Sequence, residues 1–198
     1  MSCVIAQQRL LRARAWVEAF LQPLADERYR GKISAEVYLV DFVMRNVNGR
    51  DIVELYVDTD NGITIGECTW LTRLMLDALE HDLEAQEIFG DNLRLEISSP
   101  GVSRPLLLPR QYKKNIGRRL RIRYVDADAV MQVVEGTLLA VKNLDSSDAA
   151  IELDTSPKKS ATSKKRHMAA SDTMQHSACA TLVLPLHCIK EAIVQIEF

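Results

Sequence analysis

One stretch divides this chain. Ser98-Ser99-Pro100-Gly101-Val102-Ser103-Arg104-Pro105 holds two prolines, a glycine and three serines in eight residues. Neither a helix nor a sheet interior continues through such a run, so it reads as a turn or linker. Charge changes sign across it. Residues 1–97 carry 10 basic and 17 acidic side chains, a net of -7, and residues 98–198 carry 15 and 10, a net of +5. A sign reversal at a structural break predicts two units with different partners. With 198 residues, 47% of them hydrophobic and a net charge of only -2, the chain can fill two small cores, and wholesale disorder is excluded. The best apolar run, Cys179 to Leu186, is far shorter than the ~20 residues a membrane span needs.

The first half reads as helix, strand, strand, helix, strand. Arg9, Arg12 and Arg14 precede any acidic residue, a bias shared with organelle transit peptides. However, Leu10, Ala13, Val17, Phe20 and Leu24 recur at 3-4-3-4 spacing, which predicts a folded amphipathic helix. Val37 to Met44 is a mostly apolar, β-branched and aromatic run. Asn48-Gly49 after it is a hairpin signal, because both residues tolerate positive φ. Ile52 to Asp58 alternates, with Val53, Leu55 and Val57 facing one way. Thr64-Ile65-Gly66-Glu67 has capping-box spacing and opens a helix that buries Leu71, Leu74, Met75, Ala78 and Leu79. Leu93 to Ile97 alternates as a third strand. Two helices on one face of a three-stranded sheet would bury all these stripes.

The second half is a series of short strands at Arg118 to Val125, Met131 to Val141, Ala150 to Asp154, Thr181 to Leu184 and Ala192 to Phe198. Five short strands with tight connections predict a small barrel, because closure removes exposed edges. Thr155 to Cys179, rich in Ser, Ala, Lys and Thr, reads as a flexible excursion. The expected class is therefore α+β, with an α/β unit at 1–98, a junction at 99–106 and an all-β unit at 107–198 carrying the insertion 155–179.

The strongest electrostatic feature is a run of eight cations without an acid: Arg104, Arg110, Lys113, Lys114, Arg118, Arg119, Arg121 and Arg123. On the strand, Leu120, Ile122 and Tyr124 point inward while Arg119, Arg121 and Arg123 share the outer face. Stacked like charges repel, and a polyanion would relieve them while releasing its counterions. Only Tyr112 and Tyr124 are close, so the expectation is phosphate contact rather than base stacking. A second cluster, Lys158, Lys159, Lys164, Lys165 and Arg166, lies in the insertion. On the acidic side, Asp77, Glu80, Asp82, Glu84, Glu87 and Asp91 crowd the end of the second helix and the loop after it. They form either a hydrated face or a dock for a basic protein.

Catalytic and metal readings find no support in the spacing. Asp58-Thr59-Asp60-Asn61-Gly62 starts like a calcium loop, but the glycine falls one place early and Glu67 too soon. His176, Cys179, His187 and Cys188 match no structural zinc pattern. No GxGxxG, GxxxxGK[ST] or GxSxG occurs. Ser98 and Ser99 have no general base nearby in sequence. No catalytic residue, metal or cofactor is expected. The four scattered cysteines, with no CxxC pair, fit reduced intracellular use.

The junction Leu95-Glu96-Ile97-Ser98-Ser99-Pro100-Gly101-Val102-Ser103-Arg104-Pro105-Leu106 resembles the signature of the bacterial ribosome maturation factor RimP family, L-E-[VI]-S-S-P-G-x-x-R-P-L. Val53 to Asp58, Gly62 to Cys68 and Ile193 to Phe198 are similar to further segments of the family. The departures are the long Thr155 to Cys179 insertion and a few extra residues around Arg28 to Ser34. The resemblance implies an N-terminal α/β domain and a C-terminal Sm-like, SH3-type barrel. It also implies a non-enzymatic assembly factor that binds the immature small ribosomal subunit and assists its maturation. The implied partners are ribosomal RNA, suited to the basic half, and a basic small-subunit ribosomal protein, suited to the acidic half. A cytoplasmic monomer without a membrane partner is expected. Ser98, Ser99, Pro100, Gly101, Arg104 and Pro105 carry over as the family-type motif, either setting the pose of the two domains with Arg104 poised for contact or serving structure alone. The alternative function is a free-standing Sm-like RNA-binding regulator, which a ring-sized species in solution would mark.

Overall fold

The structure, a computed structural model, describes residues 3–26, 29, 31–90, 92–144, 146, 148–156 and 181–196. The chain divides into two compact units, Met1–Leu108 and Pro109–Phe198. The insertion with its lysine cluster, and His176 and Cys179, lie outside the described residues.

The first unit opens with α1 (Cys3–Leu21) and a 3-10 turn (Gln22–Ala25) that carries Pro23 near its start. The hairpin β1 (Tyr38–Val47) and β2 (Arg50–Asp58) follows. Asn48 at φ 53° and Gly49 at φ 79° make the two-residue turn whose twist matches the strands. Next come α2 (Ile65–His81), α3 (Leu83–Phe89) and β3 (Leu93–Ser98). The sheet order is β1-β2-β3, with β2 antiparallel to β1 and parallel to β3. A parallel neighbour requires a crossover, which α2 and α3 supply. Val53, Leu55 and Val57 of β2 are fully buried, with Val17, Leu71, Met75, Ala85 and Ile88 from the helices.

Three sequence expectations need correction here. Leu10 is not on the buried stripe of α1 but 40% exposed, and Leu21 is buried further along the helix. The single loop expected after α2 contains α3. Asp82 caps it, Oδ1 accepting from the Ala85 amide at 3.0 Å, and the turn was too short to show periodicity. The last strand runs Ile189–Val194, not 192–198, because Lys190 sits in a register shift that breaks the alternation.

The second unit comprises α4 (Pro109–Lys114), β4 (Arg119–Val125), β5 (Met131–Lys142), β6 (Ala150–Asp154), β7 (Thr181–Pro185), a 3-10 turn (Leu186–Cys188) and β8 (Ile189–Val194). The strands form one antiparallel sheet in the order β7-β6-β5-β4-β8, and among the described residues no ladder joins β7 to β8. The class is thus α+β, with a three-stranded sheet and a separate five-stranded antiparallel sheet. Leu120, Ile122, Leu138, Ile151 and Leu153 have no exposed surface and form the centre of this unit.

Candidate functional site

The junction is built onto the first unit. Ser98 ends β3, Pro100 is buried, and Gly101 takes φ 63°, a left-handed turn position that suits a residue without Cβ. Arg104 folds back onto the outer face of the sheet. Its Nη1 lies 2.9 Å from Asp41 Oδ2, and its guanidinium stands 3.5 Å from the centroid of the Tyr56 ring. Tyr56 donates its hydroxyl proton to Glu54 Oε2 at 3.0 Å, and Arg45 pairs with the other oxygen of Glu54. Burial and the Glu54 carboxylate push the Tyr56 phenol up, so it remains a neutral donor. Arg104 therefore anchors the junction to β1 and β2, with its side chain still 37% exposed.

The remaining cations belong to the second unit and divide in two. The first group surrounds α4. Buried Asn115 donates from Nδ2 to the Gln111 carbonyl at 2.8 Å and accepts at Oδ1 from Arg118 Nη1 at 3.3 Å. Gln111 and Tyr112 are buried beneath, and desolvation pushes the Tyr112 phenol up to about 12. This small polar footing holds Lys113, Lys114 and Arg118 outward, all exposed, with Arg110 half-buried at the start of the helix.

The second group is the β4 face. Arg119 Nη2 lies 3.6 Å from Glu135 Oε2 of β5, and Arg123 Nη1 lies 3.3 Å from Glu191 Oε2 of β8. The expected unrelieved repulsion is thus met from within the fold, by carboxylates that sequence distance concealed. Arg121 stands between the two pairs, exposed and without an ion pair among the described residues.

Three of the six acids, Asp82, Glu84 and Glu87, have structural duties. Asp82 caps α3 and accepts from the Trp16 indole at 3.0 Å; the indole and the Ala85 amide hold its carboxyl below the usual range. Glu84 and Glu87 lie 3.6 and 3.2 Å from Arg12 of α1, tying the two helices together. Asp77 lies 4.0 Å from His81, and Glu80 is exposed. Asp91 lies outside the described residues.

A surface cavity of about 240 Å³ lies between α2 and the end of β3, lined by side chains that include Ile65, Cys68, Thr72, Ile97 and Ser99. Its lining holds hydroxyl and aliphatic groups and one thiol, which burial pushes up and so keeps protonated. Among the described residues no group of three or more His, Cys, Asp or Glu is placed to hold a metal ion, and no helix is long and apolar enough to cross a membrane.

Two features escaped the sequence. The Arg104–Tyr56 stack joins residues in different elements, and no local signal marks it. The Arg9 anchor does the same for α1: its guanidinium pairs with Asp51 of β2 and its Nε donates to the Ile88 carbonyl at 2.6 Å.

A model of the RimP N-terminal domain family matches residues 33–103, from just before β1 to the junction. The ribosome maturation factor RimP of Prosthecochloris aestuarii is 32% identical over 182 residues, covering 92% of this chain and 95% of its own length. The protein of that name from Cytophaga hutchinsonii is 34% identical over 154 residues, covering 72% of this chain and 86% of its own. That from Chlorobium chlorochromatii is 32% identical over 152 residues, 74% of this chain and 80% of its own. With both units spanned by such matches, the chain belongs to the RimP family.

Proposed function

We propose that this protein is a maturation factor for the small ribosomal subunit, acting by binding and not by covalent chemistry. The observation that carries the reading is the near full-length match to a relative named ribosome maturation factor, at 32% identity over 95% of that protein. The alternative, a free-standing Sm-like RNA-binding regulator whose first unit serves as an oligomerisation or adaptor module, is not favoured, because the relatives matched through both units are named ribosome maturation factors.

The second unit is read as an Sm-like barrel. Its last strand, β8, lies beside its first, β4, and a 3-10 turn separates β7 from β8, both of which support that reading. The division of the chain is read as 1–98, a junction at 99–106 and 107–198. The partners are the immature small subunit, its ribosomal RNA and a basic small-subunit protein. Lys113, Lys114 and Arg118, with Arg110, suit RNA phosphates: they are compact, strongly charged and presented from one short helix and turn. Asp77 and Glu80 are the acids left to meet a basic protein. The site of action is the cytoplasm, and the working form is a monomer without a cofactor.

Deletion of the gene tests the role. The expected result is an excess of free, immature small subunits on a sedimentation profile, reversed by the intact chain. An unchanged profile would contradict it.

A further inference from the structure

We propose that the outer face of β4, with β5 and β8 beside it, docks protein rather than RNA, and that its partner is a polypeptide surface of the small subunit offering a carboxylate among aliphatic side chains. The proposal rests on the small-subunit reading above.

Three observations carry it. The first is charge. The ladders place Arg119, Arg121 and Arg123 on one face with Glu135 and Glu191, a net of one positive charge. A phosphate backbone meeting this face would have to displace two carboxylates already bound to the arginines it seeks. The second is the lone guanidinium. Arg121 lies opposite Glu135 on β5 and Ile193 on β8, is exposed, and has no ion pair among the described residues. A single carboxylate complements it; a polyanion exceeds it. The third is exposed aliphatic surface on the first part of β5, which pairs with β4 but extends beyond its ladder with β6. Val133, opposite Arg123, is 55% exposed, and Met131, opposite Val125, is 47% exposed. Arginine and methionine beside aliphatic groups, with the other charges paired, is the composition of a protein interface. None of the side chains that the ladders place on this face is an aromatic that would stack a base. The α4 cations differ: for Lys113 and Arg118 no carboxylate partner is present among the described residues.

The test is co-sedimentation with immature small subunits over a range of salt, using the full chain, Val133→Ser, Arg121→Ala and the double substitution Lys113→Ala/Arg118→Ala. All these sites are exposed, and thermal melts verify that the variants fold. Val133→Ser and Arg121→Ala are expected to weaken binding several-fold with an unchanged logarithmic salt slope. The α4 double variant is expected to flatten the slope by about two. A photo-crosslinker at residue 133 is expected to give an adduct destroyed by protease and resistant to ribonuclease. The proposal is overturned by a ribonuclease-sensitive adduct, by a slope reduced by about one in Arg121→Ala, or by wild-type binding of both β-face variants. Failure of the full chain to sediment with any small subunit would instead overturn the functional reading, and this proposal with it.

Discussion

The Arg104 guanidinium carbon lies over the Tyr56 ring, 3.5 Å from its centroid, with Asp41 Oδ2 at 2.9 Å from its Nη1. A segment whose composition reads as a turn or linker is thereby fastened to β1 and β2 of the first unit. Loss of the stack and the ion pair removes about 1–2 kcal/mol. Arg104→Ala should lower the melting temperature of the first unit and raise amide exchange across residues 99–104. Arg104→Lys should restore little, because an ammonium does not stack as the planar guanidinium does. Unchanged exchange in Arg104→Ala would show that the junction is held by something else.

Glu67 makes the first unit acid-sensitive. Burial pushes its carboxyl up, but hydrogen bonds from the Thr64 and Ser34 amides outweigh burial and hold it down to about 2. A carboxyl lowered on folding contributes stability that is complete above its ordinary value near 4.5 and lost as pH falls toward 2. Denaturation curves should show that loss in the wild type, and Glu67→Gln should abolish that part of it while costing about 2 kcal/mol at neutral pH. Parallel pH profiles for the two proteins would contradict the assignment.

Gly136 is a packing requirement of the second unit. A Cβ there would lie 2.8 Å from the Asp154 carbonyl oxygen and 3.3 Å from Leu153 Cβ, at the end of the β5–β6 ladder. Backbone cannot step aside as a side chain can, so Gly136→Ala should cost about 1–3 kcal/mol, read by chemical denaturation. An unaltered midpoint would mean that the two strands separate freely.

The acids at the end of α2 should divide by role. Asp82→Ala removes the cap of α3 and the Trp16 bond together and should cost about 2 kcal/mol. Glu80→Gln should leave stability within about 0.5 kcal/mol. Equal effects would mean that the cap carries no weight.

What sequence could reveal here followed from the range of the interaction. The Asn48-Gly49 hairpin and the Thr64–Glu67 capping box are contacts within four residues, and both stand as read, with the Glu67 amide donating to Thr64 Oγ1 at 3.2 Å. The buried alternation of β2 was equally plain. The partners of Arg119 and Arg123 were not, since Glu135 and Glu191 meet them only through strand pairing. That is why a stretch of chain that reads as a bare cationic stripe folds into a nearly neutral face. Leu10 misled for a related reason: helical spacing marks a stripe, but the neighbours decide which end of it is covered.

Co-sedimentation of the purified chain with immature and mature small ribosomal subunits, at low and moderate salt, tests the central claim most directly. The account predicts preferential binding to immature particles, weakening as salt rises. Equal binding to both, or binding to neither with retention on free RNA, would contradict it.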